Sequence, residues 1–417
     1  MAMRAIVSHP SKQGNMYRVP AGAAASGIPT DFLTGFYYKP DRLPWPLLRL
    51  LPPTLRRRVE EKLERRRLAE MDEALVTQVS GPLPELFYGW LKSYRQGNAL
   101  HDRLAARWMN RHVVLGSTGV FHGFQESCFR SLAAARTRGL TALLESTLPP
   151  STLPLVAAEY RRLDLPWPGA TQPSAELLAE LPRADFHIAQ SAFAERSLID
   201  YGVEPGRIIR MPLGVDISRF RPAEGPRAPG PFRAFFAGQM SVRKGVHHLL
   251  EAWRAVGLRD GELVFAGAPR DRFIAELVAR EDPSIRYLGF VPHARLHEAY
   301  RCADVFVFPS LAEGGVYVIY EALAAGLPCI VSANAGSAVR DGIEGFVVPV
   351  GDIEALAARL RQLAVDEDLR RRMGLAARAR AEQFAWPAFY RRIGIMYREA
   401  VAREGRPASG PVDLFDR

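Results

Sequence analysis

Short apolar runs alternate with amphipathic helical stretches along most of the 417 residues. A strand buried on both faces is apolar at nearly every position, whereas the crossover helix that returns the chain to a parallel neighbour needs one apolar stripe. The alternation therefore specifies parallel α/β sheet rather than a sandwich or a helical bundle. In the first half, residues 4–7, 120–122, 141–144, 186–189 and 207–211 read as strands. In the second half, residues 232–237, 263–266, 285–288, 305–308, 328–331 and 346–348 do so.

A chain this long exceeds the size at which single cores stop growing, so two domains are expected. The Pro- and Gly-rich stretch 222–231 reads as a surface connection and sets the join near residues 212–231. The expected organisation is a Rossmann-like domain over 1–211, with a helical insertion at about 37–110, and a second Rossmann-like domain over 212–385. In doubly wound sheets ligands sit beyond the carboxyl ends of the strands, so chemistry is sought in those loops.

Composition excludes several classes. Apolar residues at 48% and charged residues at 24% are ordinary globular values. No apolar run approaches about 18 residues, and the N-terminus lacks the apolar core of a secretion signal. Cys128, Cys302 and Cys329 are far apart with no CxxC spacing, which suggests neither a disulfide framework nor a zinc knuckle and fits a reducing cytoplasm. The net charge of +10 suits nucleic acid, an anionic membrane or a phosphorylated ligand, and composition does not choose among them. Lysine occurs only at positions 12, 39, 62, 92 and 244, so a lysine inside a motif is not explained by background usage.

Residues 37–67 interrupt the α/β alternation with Trp45, the run 47–51 and the clusters Arg56-Arg57-Arg58 and Arg65-Arg66-Arg67. Apolar residues beside a basic helix suit a membrane interface facing anionic lipid. A helical cap packed on the first sheet, with its charges solvated, is the other reading.

Two constellations carry chemistry. Behind the strand 305–308 comes Glu313-Gly314-Gly315-Val316-Tyr317-Val318-Ile319-Tyr320-Glu321. Glycines ahead of a helix let backbone amides approach a ligand, and the helix N-terminus attracts phosphate or a polar sugar. Glu313 is expected in the loop and Glu321 about two turns inside the helix, where a buried carboxylate needs a partner that a ribose diol would supply. Behind the strand 232–237, Gly238 leads to Arg243-Lys244-Gly245 and a helix from Val246. Adjacent cations at a helix N-terminus oppose its dipole unless an anion is bound, and a diphosphate would resolve that conflict.

On these residues the second half resembles the retaining, GT-B fold glycosyltransferases of family 4. The resemblance covers about residues 186–401, with Pro212-Leu213-Gly214-Val215-Asp216 like the family's linker, Gly238 with Arg243-Lys244-Gly245, the Glu313/Glu321 pair and the turn from Asp341-Gly342 to Gly345-Phe346. It implies two Rossmann-like domains facing across a cleft, an acceptor domain first and a donor domain second, with a helix over 386–405 crossing back. It also implies a metal-independent hexosyl transfer from a UDP- or GDP-sugar to a glycan or lipid-linked acceptor, with retention and no further cofactor. Arg243 and Lys244 would hold the diphosphate, Glu313 the transferred sugar and Glu321 the ribose, with Gly14, Gly238, Gly314, Gly315 and Val316 lining the donor site.

His122, or Phe124 two residues on, stands where such enzymes carry a His facing the donor sugar. Gln13-Gly14-Asn15 stands where they have a glycine-rich loop, and Glu145-Ser146-Thr147 ends a strand at the cleft or caps a helix. The sequence departs from the pattern at Val316, where the family has Gly, and in the short loop 334–339. Asp366-Glu367-Asp368 reads as a helix cap rather than a metal motif. Neither GxGxxG nor GxxxxGK[ST] follows a strand, which removes oxidoreductases and P-loop NTPases. A phosphorylase, an epimerase and a catalytically silent scaffold in a glycan-assembly complex stay open. No nucleic-acid partner is expected, and the expected location is the cytoplasm, with the inner membrane face as the variant reading.

Overall fold

The computed structural model describes residues 3–10, 14–79, 94–225, 230–280, 282–403 and 410–415. Early in the chain come β1 (Arg4–His9), β2 (Thr30–Thr34), β3 (Val76–Gln78), β4 (Gly119–Phe124), β5 (Thr141–Glu145), β6 (Phe186–Ala189) and β7 (Ile208–Arg210). Then follow β8 (Phe232–Ala237), β9 (Gly261–Ala266), β10 (Ile285–Tyr287), β11 (Val305–Phe308), β12 (Cys329–Ser332), β13 (Gly345–Val348) and β14 (Val412–Asp413). They build two Rossmann-like sheets, ordered β3-β2-β1-β4-β5-β6-β7-β14 and β10-β9-β8-β11-β12-β13, with parallel pairing along each. In each sheet the order reverses once, between β1 and β4 and between β8 and β11. Loops leaving adjacent strands there turn to opposite faces and open a crevice beyond the carboxyl ends. That is where His9, Gly238 and the segment 309–316 lie.

The expected helical insertion is only partly helical. A 3-10 turn (Trp45–Leu50) and a helix (Pro53–Glu64) are followed by β3, which extends the sheet beside β2. A long helix, Tyr94–His112, then packs on the helix Phe129–Thr137. Residues 80–93 of that insertion lie outside the described residues. The Asp366 carboxylate accepts from the Leu369 amide at 2.8 Å and caps the helix Glu367–Glu382, as its acidic start suggests.

The helix Trp386–Ala402 joins the two halves. Phe389, Ile393, Met396, Tyr397 and Ala400 recur every three or four residues and are buried in one core with Val7, Val120 and Leu143 of the first sheet. Each large apolar side chain withdrawn in this way is worth about 2 kcal/mol. Its close approach to the helix Arg18–Ala25 depends on Gly22, where a Cβ would sit 2.9 Å from Tyr390 Cδ1. Beside it the chain's two crossings run together, the Val215 amide donating to the Phe384 carbonyl at 2.9 Å.

Candidate active site

The loops after β8 and β11 meet at the switch point of the second sheet. Arg243 Nη1 and Lys244 Nζ each lie 2.6 Å from Glu313 Oε1, and Ser310 Oγ donates to the same oxygen at 2.8 Å. Glu313 is 6% exposed. Burial would raise its carboxyl pKa, but Lys244 and Arg243 outweigh it and hold the group below the usual carboxylate range. Burial pushes the Lys244 ammonium down, against the pull of Glu313. The conflict between two cations and a helix N-terminus is thus met inside the chain, by Glu313, rather than requiring a bound diphosphate.

Gly245 closes the turn at φ +68° and begins the helix Val246–Val256. A Cβ there would run into the Pro309 carbonyl. Gly245→Ala is therefore expected to cost about 3 kcal/mol, from left-handed strain plus displacement of backbone, measurable as a fall in denaturation midpoint. An unchanged midpoint would refute this account of the turn.

The helix Tyr317–Ala324 starts later than its sequence suggests, so Glu321 sits just over one turn in rather than two. Its carboxylate already has partners. Oε1 receives His293 Nε2 at 2.7 Å, and Oε2 receives the Tyr300 hydroxyl at 3.1 Å. The bond to Glu321 raises the His293 pKa, with burial opposing. Sequence reading missed both partners, and no bound ribose is needed to account for the buried carboxylate. Glu321 lines a pocket of about 620 Å³ between the domains, with Arg18, Arg67, Arg219, His293 and Tyr317.

Gly314 and Gly315 are where the first domain presses on this loop. A Cβ on Gly314 would lie 2.5 Å from the Thr147 carbonyl oxygen, and one on Gly315 would lie 2.8 Å from Gln190 Oε1. Two successive glycines are required because backbone and side chain from across the cleft occupy that space. Val316, extended at φ −132°, takes the helix N-cap position without a side-chain bond. Behind the loop, the Glu313 amide donates to the Asn334 carbonyl at 2.9 Å, so the short 334–339 segment supports the site from below. Gly238 ends β8, its amide donating to the Ala266 carbonyl at 2.9 Å.

The first-domain expectations fare differently. His122 has no exposed surface, and both ring nitrogens are engaged, Nδ1 with the Tyr397 hydroxyl at 2.8 Å and Nε2 with Glu145 at 2.9 Å. Both of its polar ring atoms are thus met by the chain itself, one from the last helix and one from β5. Phe124, the alternative, is also buried and stacks on His122. Glu145 accepts from Gln190 Nε2 at 2.5 Å, so a buried hydrogen-bonded chain runs from the last helix through His122 and Glu145 to the residue facing Gly315. Gly14 opens a 3-10 turn, Gly14–Tyr17, and Gln13 lies outside the described residues.

A second link spans the domains. Glu159 Oε1, on the helix Thr152–Arg162, lies 2.8 Å from His247 Nε2 and 3.0 Å from His248 Nε2, both in the first turn of Val246–Val256. Burial would raise the Glu159 carboxyl, but hydrogen bonds from His247, His248 and Arg162 hold it well below the usual range. Among the described residues these three side chains are close enough together for a metal ion. However, Arg162 Nη2 donates to the same oxygen at 2.7 Å, and neither His Nδ1 has the partner that orients a ligating imidazole. The cluster is a hydrogen-bonded latch between the domains.

Residues 231–366 match the family described as Glycosyl transferases group 1. Over those residues the second domain is similar to group 1 glycosyl transferases. D-inositol 3-phosphate glycosyltransferase of Nocardia farcinica is 34% identical over 233 residues, 51% of this chain and 51% of its own length. The same enzyme of Salinispora arenicola is 31% identical over 271 residues, 57% of this chain and 60% of its own. The chain thus spans about half to three fifths of these curated relatives. The likeness in fold extends beyond residues 231–366. Sucrose-phosphate synthase from Thermosynechococcus elongatus superposes with a TM-score of 0.67 at 20% identity, covering 96% of this chain and 99% of that one. HepE of Anabaena, in complex with UDP-glucose, does so at 0.60 and 14%, covering 95% and 99%. The chain has the two-domain GT-B architecture, and the segment similar to group 1 glycosyl transferases carries Arg243, Lys244, Glu313 and Glu321.

Proposed function

We propose that the protein transfers a hexosyl group from a nucleoside-diphosphate sugar, of UDP or GDP type, to a glycan or lipid-linked acceptor with retention of anomeric configuration. The observation that carries this reading is the convergence of Arg243 and Lys244 on one buried oxygen of Glu313 at the second sheet's switch point. Both cations are held in place before any ligand arrives, and such preorganised charge is what a departing diphosphate requires. The HepE complex with UDP-glucose and the inositol-phosphate glycosyltransferase relatives support a nucleotide-sugar donor.

In the proposed reaction the bond between the anomeric carbon and the diphosphate oxygen breaks, and the electron pair stays with the diphosphate. Arg243, Lys244 and the amides at the start of Tyr317–Ala324 stabilise that charge, the work a divalent cation performs in other transferases. The acceptor hydroxyl attacks from the departing side and passes its proton to the leaving oxygen, which retains configuration. Glu313 orients a sugar hydroxyl, and Glu321, with His293 and Tyr300 behind it, takes the ribose. Because Gly314 lies against Thr147, the donor enters with the domains apart, and closure excludes water. A reducing cytoplasm suits the three free thiols.

Thermal shift with a panel of UDP-, GDP- and ADP-sugars tests the reading, since a ligand that binds the folded state raises its melting temperature. One nucleotide should stabilise the wild type and leave Glu321→Ala unmoved. No shift with any of them, together with no donor hydrolysis, would favour the silent-scaffold reading and sink this one.

A further inference from the structure

We propose that the first-domain face carrying Leu43, Leu47, Leu50 and Leu55 docks on an anionic lipid bilayer. Four of the fifteen exposed large apolar side chains among the described residues fall within these thirteen positions, Leu43 at 76% and Leu50 at 82% exposure. The geometry explains why they point outward. The segment Trp45–Leu50 is a 3-10 helix, in which residues three apart stand one above the other. Trp45 and Leu48 form one such row and turn inward, Trp45 setting its ring edge 5.5 Å from Phe36 and 5.6 Å from Tyr38, with Leu63 in the same small core. Leu47 and Leu50 form the next row and stand exposed, with no cover among the described residues. The inward row anchors the segment to the domain, so the outward row is held rigidly rather than free to fold away.

Charge identifies the occupant. Residues 41–67 hold nine basic and four acidic side chains, a net +5 that is half of the chain's +10 in 27 of its 417 residues. Within the helix Pro53–Glu64, Arg56 and Arg57 pair only at the surface with Glu60 and Glu61, at 3.9 and 3.5 Å, and such exposed pairs contribute little. Outward leucines flanked by basic residues match the boundary between acyl chains and anionic headgroups, where apolar burial and Coulomb attraction act together. A nucleic acid would use the arginines and leave the leucines in water. No described helix is long and apolar enough to cross a membrane, so the contact lies on the surface of the bilayer. Glu64, Arg65 and Arg67 continue from this face into the wall of the pocket that holds Glu321, which sets the docking face beside the mouth of the cleft. The proposal is independent of the transfer reaction.

Co-sedimentation with vesicles tests it. The full chain should pellet with equimolar phosphatidylglycerol and phosphatidylcholine at low salt, and not with phosphatidylcholine alone. Leu47→Ser/Leu50→Ser should weaken partition about tenfold or more, and Arg57→Gln/Arg58→Gln by about fivefold per charge. Leu375→Ser, equally exposed on the second domain, should leave binding unchanged. Equal melting temperatures would show that the leucine pair acts through the surface, and if the double variant proved unstable, Leu50→Ser alone decides. No pelleting with anionic vesicles, or undiminished pelleting of a folded leucine variant, overturns the proposal. So does binding of a DNA duplex as tight as vesicle binding and indifferent to the leucines, which would mark a general polyanion surface.

Discussion

Replacing Lys244 with alanine is expected to lower turnover by about 100-fold or more while the protein stays folded, the loss typical of removing one preorganised group from developing negative charge. The expectation follows from where the ammonium is held. It sits in the turn just before the helix Val246–Val256, 5.0 Å over the Phe308 ring and 2.6 Å from Glu313, a position that constrains it before the donor binds. Removing it leaves Glu313 with Arg243 and Ser310, so the carboxylate is not stranded and the fold survives. The diphosphate, in contrast, loses a charge that matters most as its bond breaks, so kcat should fall more than KM rises. Steady-state kinetics beside melting curves check this. A variant whose activity falls only in step with its melting temperature would mean that Lys244 holds the turn and takes no part in transfer.

The second large effect is expected from acid. Burial pushes His9 and His101 down to about 3 and His187 to about 4, and neighbouring His101 and His122 add to the shift at His9. Unfolded, each titrates near 6.5, so below that pH the unfolded chain binds protons that the folded chain refuses. Their stabilisation is whole above about pH 6.5 and is lost as pH falls toward their folded values, at about 1.4 kcal/mol per pH unit for each. Three groups act the other way. Glu180, which burial raises to about 7, Asp102, which burial also raises, and His293, which Glu321 raises, bind protons better in the folded state. Three histidines outweigh them, leaving a net loss of about 2 kcal/mol per unit through pH 6 to 4.5, steeper below about pH 4.5, where the unfolded glutamate takes up its proton as well. Against a total stability of about 5–15 kcal/mol, a loss of about 4–5 kcal/mol by pH 4 leaves the fold markedly weaker there. Melting temperature should hold level or rise slightly from pH 7.5 to about 6.5, where Glu180 and His293 take up protons, and fall from there to pH 4.5; a flat profile below about pH 6.5 would show that the buried imidazoles take up protons without loss.

Much of this protein is local and could be read from its residues in order. A strand buried on both faces is apolar whatever its neighbours, so the five strands read in the first half and the six in the second are present. Adjacent cations before a helix and two glutamates eight positions apart are likewise local patterns, which single out Arg243, Lys244, Glu313 and Glu321 without saying what each meets. β2, β3 and β14 escaped notice because two are only two or three residues long and Thr30–Thr34 mixes polar with apolar positions. They are strands because a neighbouring edge supplies their hydrogen bonds. Only the tertiary structure decided that Glu313 is the anion for the two cations, since 69 positions separate it from Lys244 until the order β8-β11 makes them neighbours. The same holds for His293 and Tyr300 on Glu321, for Tyr397 on His122, and for the Thr147 carbonyl that requires glycine at 314. Periodicity reports which face of an element is dry, but the partner that a buried polar group meets is set by crossovers and by the packing of one domain on the other, and no local pattern encodes those.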